Sequence, residues 1–124
     1  MTTKKTIVHE NEGREVPDIC GKALELLNQG NSDCKFMSIA TILINPGESS
    51  RLHYHKIMEE IYYIVEGEAE ISIQNERNRV FQGHAILIPI GVSHQIKNIG
   101  DKTLKFLSID APPYLENDAY FPSE

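Results

Sequence analysis

Apolar residues fall in short runs along most of this chain, and turn-forming residues separate the runs. Phe36 to Ile44 is rich in β-branched and apolar side chains and ends at Asn45-Pro46-Gly47. Glu60 to Val65 ends at Glu66-Gly67-Glu68. Ala69 to Ile73 alternates small or apolar with polar residues, and Gln74–Asn78 reads as a hairpin turn. Arg79 to Gln82, Ala85 to Ile88, Ser93 to Asn98 and Leu104 to Asp110 complete the series. Short β-rich runs with turn signals about every eight to twelve residues predict an antiparallel sandwich or barrel.

The chain before Lys35 reads differently. Pro17-Asp18 is a start signal, Ala23, Leu24, Leu26 and Leu27 are apolar, and Gly30 is a stop. This pattern predicts a short helix over Ile19–Gln29, with Leu24 and Leu27 capping the barrel. Thr6–His9 is expected to be a further strand, available to cross to a neighbouring subunit. Pro112-Pro113-Tyr114 breaks regular structure, and the acidic tail to Glu124 is expected to wrap the outside or a partner.

Composition narrows the function. At 124 residues the chain is expected to be one domain, residues 1–124, long enough for a core. Net charge is −6, from 12 basic and 18 acidic residues, with no basic stripe. Nucleic acid is therefore a poor partner, because phosphate binding needs clustered Lys and Arg. No run approaches the length of a membrane span, and no apolar segment follows Met1-Thr2-Thr3-Lys4-Lys5 as a secretory signal would require. Cys20 and Cys34 form neither C-x-x-C nor a disulfide-rich pattern, so reduced thiols and a cytoplasmic location are expected.

Two segments concentrate the chemistry. The first is Gly47, five residues, His53-Tyr54-His55, four residues, Glu60, six residues, Gly67. The second is Gly83, five residues, Pro89-Ile90-Gly91, two residues, His94, three residues, Asn98. Three histidines and a carboxylate are natural ligands of a divalent transition metal. Strand side chains alternate between faces, so His53 and His55 enter together while Tyr54 points away. Inward Glu60 brings Tyr62 and Ile64 with it, and inward His94 brings Ile96 and Asn98. This predicts a pocket of His53, His55, Glu60 and His94, walled by Tyr62, Ile64 and Ile96. Gly47, Gly67 and Gly83 are expected at strand ends, Pro89 and Gly91 in a turn that sets the His94 strand, and Asn98 as a brace for a loop.

The two segments resemble the paired signature motifs of the cupin superfamily, and every defining position is filled. The intermotif gap, Glu68 to Gln82, is similar to that of compact microbial members. The resemblance implies an antiparallel jelly-roll β-barrel, the double-stranded β-helix, carrying one divalent metal per chain. The motif spacing to Gly67 selects Glu60 over Glu59. Mn, Fe, Co, Ni, Cu and Zn all accept three imidazoles and a carboxylate, and an ion preferring six ligands keeps positions open for substrate.

A complete ligand set favours a metalloenzyme acting on a small organic molecule, with dioxygenase-like or isomerase/cyclase-like chemistry. The alternative is a non-catalytic sugar or metabolite sensor. Tyr62 is a candidate acid or donor. Arg51 is a candidate for holding an acidic substrate at the mouth, with Lys56 and Lys35 the other nearby cations. His9 and His84 are left outside the site. A two-fold homodimer is the expected assembly.

Overall fold

The computed structural model describes residues 4–122. The expected termini Met1–Thr3 and Ser123–Glu124 lie outside them. The chain folds as an all-β jelly roll, with nine strands in two antiparallel sheets among the described residues. The strands are β1 (Arg14–Pro17), β2 (Lys22–Leu27), β3 (Ser38–Ile44), β4 (Glu59–Glu66), β5 (Glu68–Ile73), β6 (Glu76–Phe81), β7 (Ala85–Ile88), β8 (His94–Asn98) and β9 (Leu104–Ala111). One sheet has the order β1-β2-β3-β9-β4-β7, and the other β6-β5-β8.

Most strands from Ser38 onward sit where the alternating pattern placed them, but Gln74–Asn78 is not all turn. Only Gln74-Asn75 turns, and the strand expected from Arg79 begins at Glu76, paired with Ile73. The N-terminal region does not follow its expected pattern. Ile19–Gln29 is not a helix: Lys22–Leu27 is strand β2, paired with β1 and β3. Asp18 and Gly21 exchange backbone hydrogen bonds of 2.9 and 3.1 Å, so Pro17-Asp18 opens a hairpin instead of a helix. Ala23 is buried opposite Ile42, and Glu25 reaches Arg14 across the hairpin at 2.8 Å. Pairing with β3 thus overrides a local pattern that also fits a helix. Thr6–His9 is likewise not a strand; Lys5 makes an isolated bridge to Ser32 instead. The described residues contain one helical turn, the 3-10 segment Glu10–Glu12.

The barrel interior has a polarity gradient written by alternation. On β9 the buried series is Leu104, Phe106, Ser108, Asp110. On antiparallel β4 it is Glu60, Tyr62, Ile64. The register sets Ile64 against Phe106, Tyr62 against Ser108 and Glu60 against Asp110. One end of the barrel is therefore hydrocarbon, joined by Ile44, Ile71 and Ile96. The other end is polar, and the histidines gather there.

Gly67, in the tight β4–β5 turn, has φ of 96°. A Cβ there would stand 3.1 Å from the Leu104 Cα and 3.3 Å from the Thr103 carbonyl oxygen. Gly67→Ala is expected to destabilise the fold by about 1–3 kcal/mol. Urea unfolding checks this; an unchanged midpoint would refute it. Gly47, Gly83 and Gly91 also take positive φ, of 81°, 96° and 79°. The Asn98 amide donates to the Ile44 and Lys102 carbonyls and its oxygen accepts from Gly100.

Candidate metal centre

His53 and His94 face each other across two adjacent extended segments. Each backbone N–H donates to the other's carbonyl, at 3.1 and 2.8 Å. His55 lies two residues on, so it shares the face of His53. Glu60 enters from β4 and is 6% exposed, whereas Glu59 points to solvent. One ligand atom from each of His53, His55, Glu60 and His94 lies within 4.8 Å of the others, and all four residues are buried.

The histidine rings are aimed by their back sides. Nδ1 of His53 contacts the Arg51 carbonyl at 2.7 Å, that of His55 the Asp118 carbonyl at 2.6 Å, and that of His94 the Val92 carbonyl at 3.0 Å. A carbonyl can only accept, so each Nδ1 carries the proton and each neutral ring turns a lone pair at Nε2 into the site. Nε2 of His55 and His94 and Oε1 of Glu60 are buried without a hydrogen-bond partner. Yet Glu60 Oε1 is 2.8 Å from His55 Nε2 and 3.5 Å from His94 Nε2. Acceptors packed this closely repel unless a proton or a cation lies among them. The donor set and the orphaned atoms both fit a divalent transition metal.

Without a metal, protons take up part of that strain. Burial pushes Glu60 up, but the imidazoles of His55 and His94 close against its oxygen outweigh it and hold the carboxyl well below its usual range. Burial pushes His55 down, but its contact with Glu60 leaves the imidazole above its ordinary value. Burial, then the charge of His94, lowers His53 to about 4.

The site opens into a cavity of about 800 Å³ lined near the ligands by Met58, Tyr62, Ser108, Asp110, Asp18 and Cys20. Tyr62 is 2% exposed and floors the cavity, its ring 6.2 Å from that of His94 and 4.7 Å from that of Phe106. Its hydroxyl lies 4.0 Å from Cys20 Sγ, and burial keeps the phenol protonated by pushing it well above its ordinary value. Ile64 and Ile96 do not wall the cavity; both are fully buried in the hydrocarbon core beneath Tyr62. Alternation does turn both inward, but the cavity ends at Tyr62 on β4 and reaches neither Ile64 nor Ile96. Arg51 is not at the cavity either: its guanidinium stacks on Phe121 at 3.6 Å. Lys56 sits over Tyr120 at 4.1 Å.

Three groups at the site were not anticipated. Asp110 is 5% exposed beside Glu60, and burial, then hydrogen bonding with Glu60 and the Glu60 charge, raises it to about 10. Ser108 donates to Glu60 Oε2 at 3.2 Å. The period-two series running from Leu104 to Asp110 was the available signal for both. Asp118 accepts from the backbone N–H groups of Lys56, Ile57 and Met58, at 2.8–3.2 Å, and its own carbonyl holds His55. No local pattern marks Asp118.

Residues 40–110 match the family described as cupin domain. The chain belongs to this family. Among its relatives is a Methanocaldococcus jannaschii protein described as uncharacterized, 41% identical over 81 residues, or 65% of each chain. The polyketide synthase CurC of Streptomyces cyaneus is 33% identical over 72 residues, 58% of this chain and 46% of that one. The chain thus spans less than two thirds of the length of both relatives. Among solved structures, a Thermotoga maritima protein described as a predicted oxalate decarboxylase superposes with a TM-score of 0.74 and 26% identity. That match covers 86% of this chain and 98% of the other.

Proposed function

We propose that this cupin is a metal-dependent enzyme acting on a small organic molecule. The observation that carries this reading is the buried cluster of His53, His55, Glu60 and His94, in which Nε2 of His55 and His94 and Oε1 of Glu60 lack a hydrogen-bond partner and of which His53, His55 and Glu60 line a cavity. His53, His55, Glu60 and His94 would hold the ion. Bound there, it would supply Lewis-acid or redox chemistry to an oxygen donor of the substrate. The remaining work falls to the chain. Tyr62 and Asp110 line the cavity as groups that hold a proton at neutral pH, beside the position a ligand would occupy. Such groups serve proton transfer in isomerase- or cyclase-like chemistry as well as in dioxygenase-like chemistry. A passive sensor does not need them, which is why the enzymatic reading leads. The polyketide synthase relative fits a role in small-molecule metabolism.

Elemental analysis of protein purified without chelator tests the reading. About one Fe, Ni or Cu per chain directs the substrate screen to oxygen uptake. Zn or Mn at that occupancy directs it to isomerisation and cyclisation. No metal as isolated and none on reconstitution sinks it, and a ligand-stabilised protein without turnover leaves the sensor.

We also propose a two-fold homodimer and a reducing, cytoplasmic setting. Both cysteines are free. Among the described residues no helix is long and apolar enough to cross a membrane. Ile61, Tyr63 and Leu87 are each more than 40% exposed on the outer face of the larger sheet, paired in register with Ile109 and Leu107. A contiguous apolar sheet face is suited to burial against a copy of itself. Light scattering is expected to return twice the chain mass; a monomer at micromolar concentration excludes the dimer.

A further inference from the structure

The charges around the cavity restrict what enters it. Six carboxyl-bearing residues line it, Glu12, Asp18, Glu25, Glu60, Asp110 and Glu116, against two bases, Lys5 and Arg14. Arg14 is neutralised by Glu25 at 2.8 Å. Lys5 is exposed, at the outer rim beside Ser32. Arg51, Lys56 and Lys35, the cations nearest the first motif in sequence, do not reach the lining, and two of them are stacked on aromatic rings. Among the described residues, no free cation stands near the ligands.

The inner wall is instead built to accept hydrogen bonds. Asp110 is 5% exposed, and its Oδ1 has no partner. Asp18 accepts from the Cys20 backbone at 3.0 Å and lines the same wall. Tyr114 agrees: burial, then Asp18, Glu116, Asp110 and Glu60, push its phenol up to about 12. In either protonation state Asp110 offers no positive charge. An anion entering here would give up its hydration with only the ion and neutral hydroxyl donors such as Tyr62 to replace it, and Glu60 already offsets half of a divalent charge.

We propose that the substrate is an uncharged or amine-bearing small molecule that presents hydroxyl or N–H donors to Asp18 and Asp110, and that carboxylates and phosphate esters are rejected. This rests on the metal-centre reading above and sets the chain apart from its structural neighbour described as a predicted oxalate decarboxylase.

The test uses full-length protein loaded with cobalt(II) at neutral pH, its visible bands reporting ligand entry. Hydroxyacetone and 1,2-ethanediol, both uncharged at neutral pH, are compared with glycolate and oxalate, all small bidentate oxygen donors. The first pair is expected to bind at least about tenfold more tightly, because like-charge juxtaposition penalises the acids. Asp18→Asn is expected to narrow that gap while cobalt uptake persists. Equal or tighter binding of oxalate or glycolate by the unmodified protein overturns the proposal, and so does a cobalt-loaded protein that answers neither pair. A protein that takes up no cobalt overturns the metal reading instead.

Discussion

Glu60→Gln is expected to lower divalent-metal affinity by about a hundredfold or more while leaving the fold intact. Gln keeps the shape of Glu but replaces the single anionic donor among the four with a neutral amide. Loss of outer hydrogen-bond partners alone typically weakens metal sites by about 10–100-fold, and a direct ligand contributes more. The variant also changes how metal binding depends on pH. Ligand imidazoles must shed their protons to bind, so affinity falls as pH falls. His53, held near 4 by burial and by His94, stays neutral through mild acidification. His55 does not, because Glu60 holds its imidazole above the ordinary value. Protons therefore compete first at His55, and metal is lost as pH drops through its raised pKa. Without the Glu60 charge that competition moves to lower pH. Titration against a chromophoric chelator across pH measures both effects. A variant that binds metal like its parent at every pH removes Glu60 from the ligand set.

The ligands were legible because their spacing is local. His53 and His55 lie two apart on an extended segment, and the alternation that buries Glu60 exposes Glu59. The same rule located Tyr62, and applied to β9 it would have found Ser108 and Asp110. Alternation says which face a residue takes but not how far along the barrel the cavity reaches. That is why Ile64 and Ile96 were placed on its wall while they fill the core below. The N-terminal region was obscure for a different reason. Arg14–Pro17 is an edge strand with hardly any buried side chain, so it carries no apolar alternation to read. Ala23, Leu24, Leu26 and Leu27 fit a helical face as well as a strand, and pairing with β3 decides between them. The brace at Asp118 was illegible outright. Its partners lie 60–63 positions away in the chain, and nothing in an acidic tail singles out one carboxylate.

Asp118→Ala is expected to destabilise the protein by about 3 kcal/mol and to weaken metal binding by about 10–100-fold. The carboxylate is 2% exposed and gathers the N–H groups of three consecutive residues between His55 and Glu60. Truncation leaves the Met58 N–H buried and unpaired. It also frees the C-terminal segment, whose backbone carbonyl at residue 118 fixes the His55 tautomer, and whose Tyr120 bridges Tyr54 through two 3.0 Å backbone bonds. Asp118→Asn retains one acceptor oxygen and is expected to fall between parent and alanine variant. The stability loss has its own pH signature. Burial pushes the Asp118 carboxyl up, but the N–H donors of Met58, Lys56 and Ile57 outweigh it and leave its folded pKa below the ordinary value. A depressed carboxyl stabilises the fold above its unfolded pKa, about 3.9, and that stabilisation fades as pH falls through the lower folded value. Parent and Asp118→Ala should therefore differ fully at neutral pH and converge below about pH 4. Denaturant unfolding at the two pH values, beside a metal titration, separates the possibilities. A gap that persists unchanged in acid would mean that the segment is held by packing and not by this carboxylate. Full metal affinity in a destabilised variant would mean that His55 is aimed without help from residue 118.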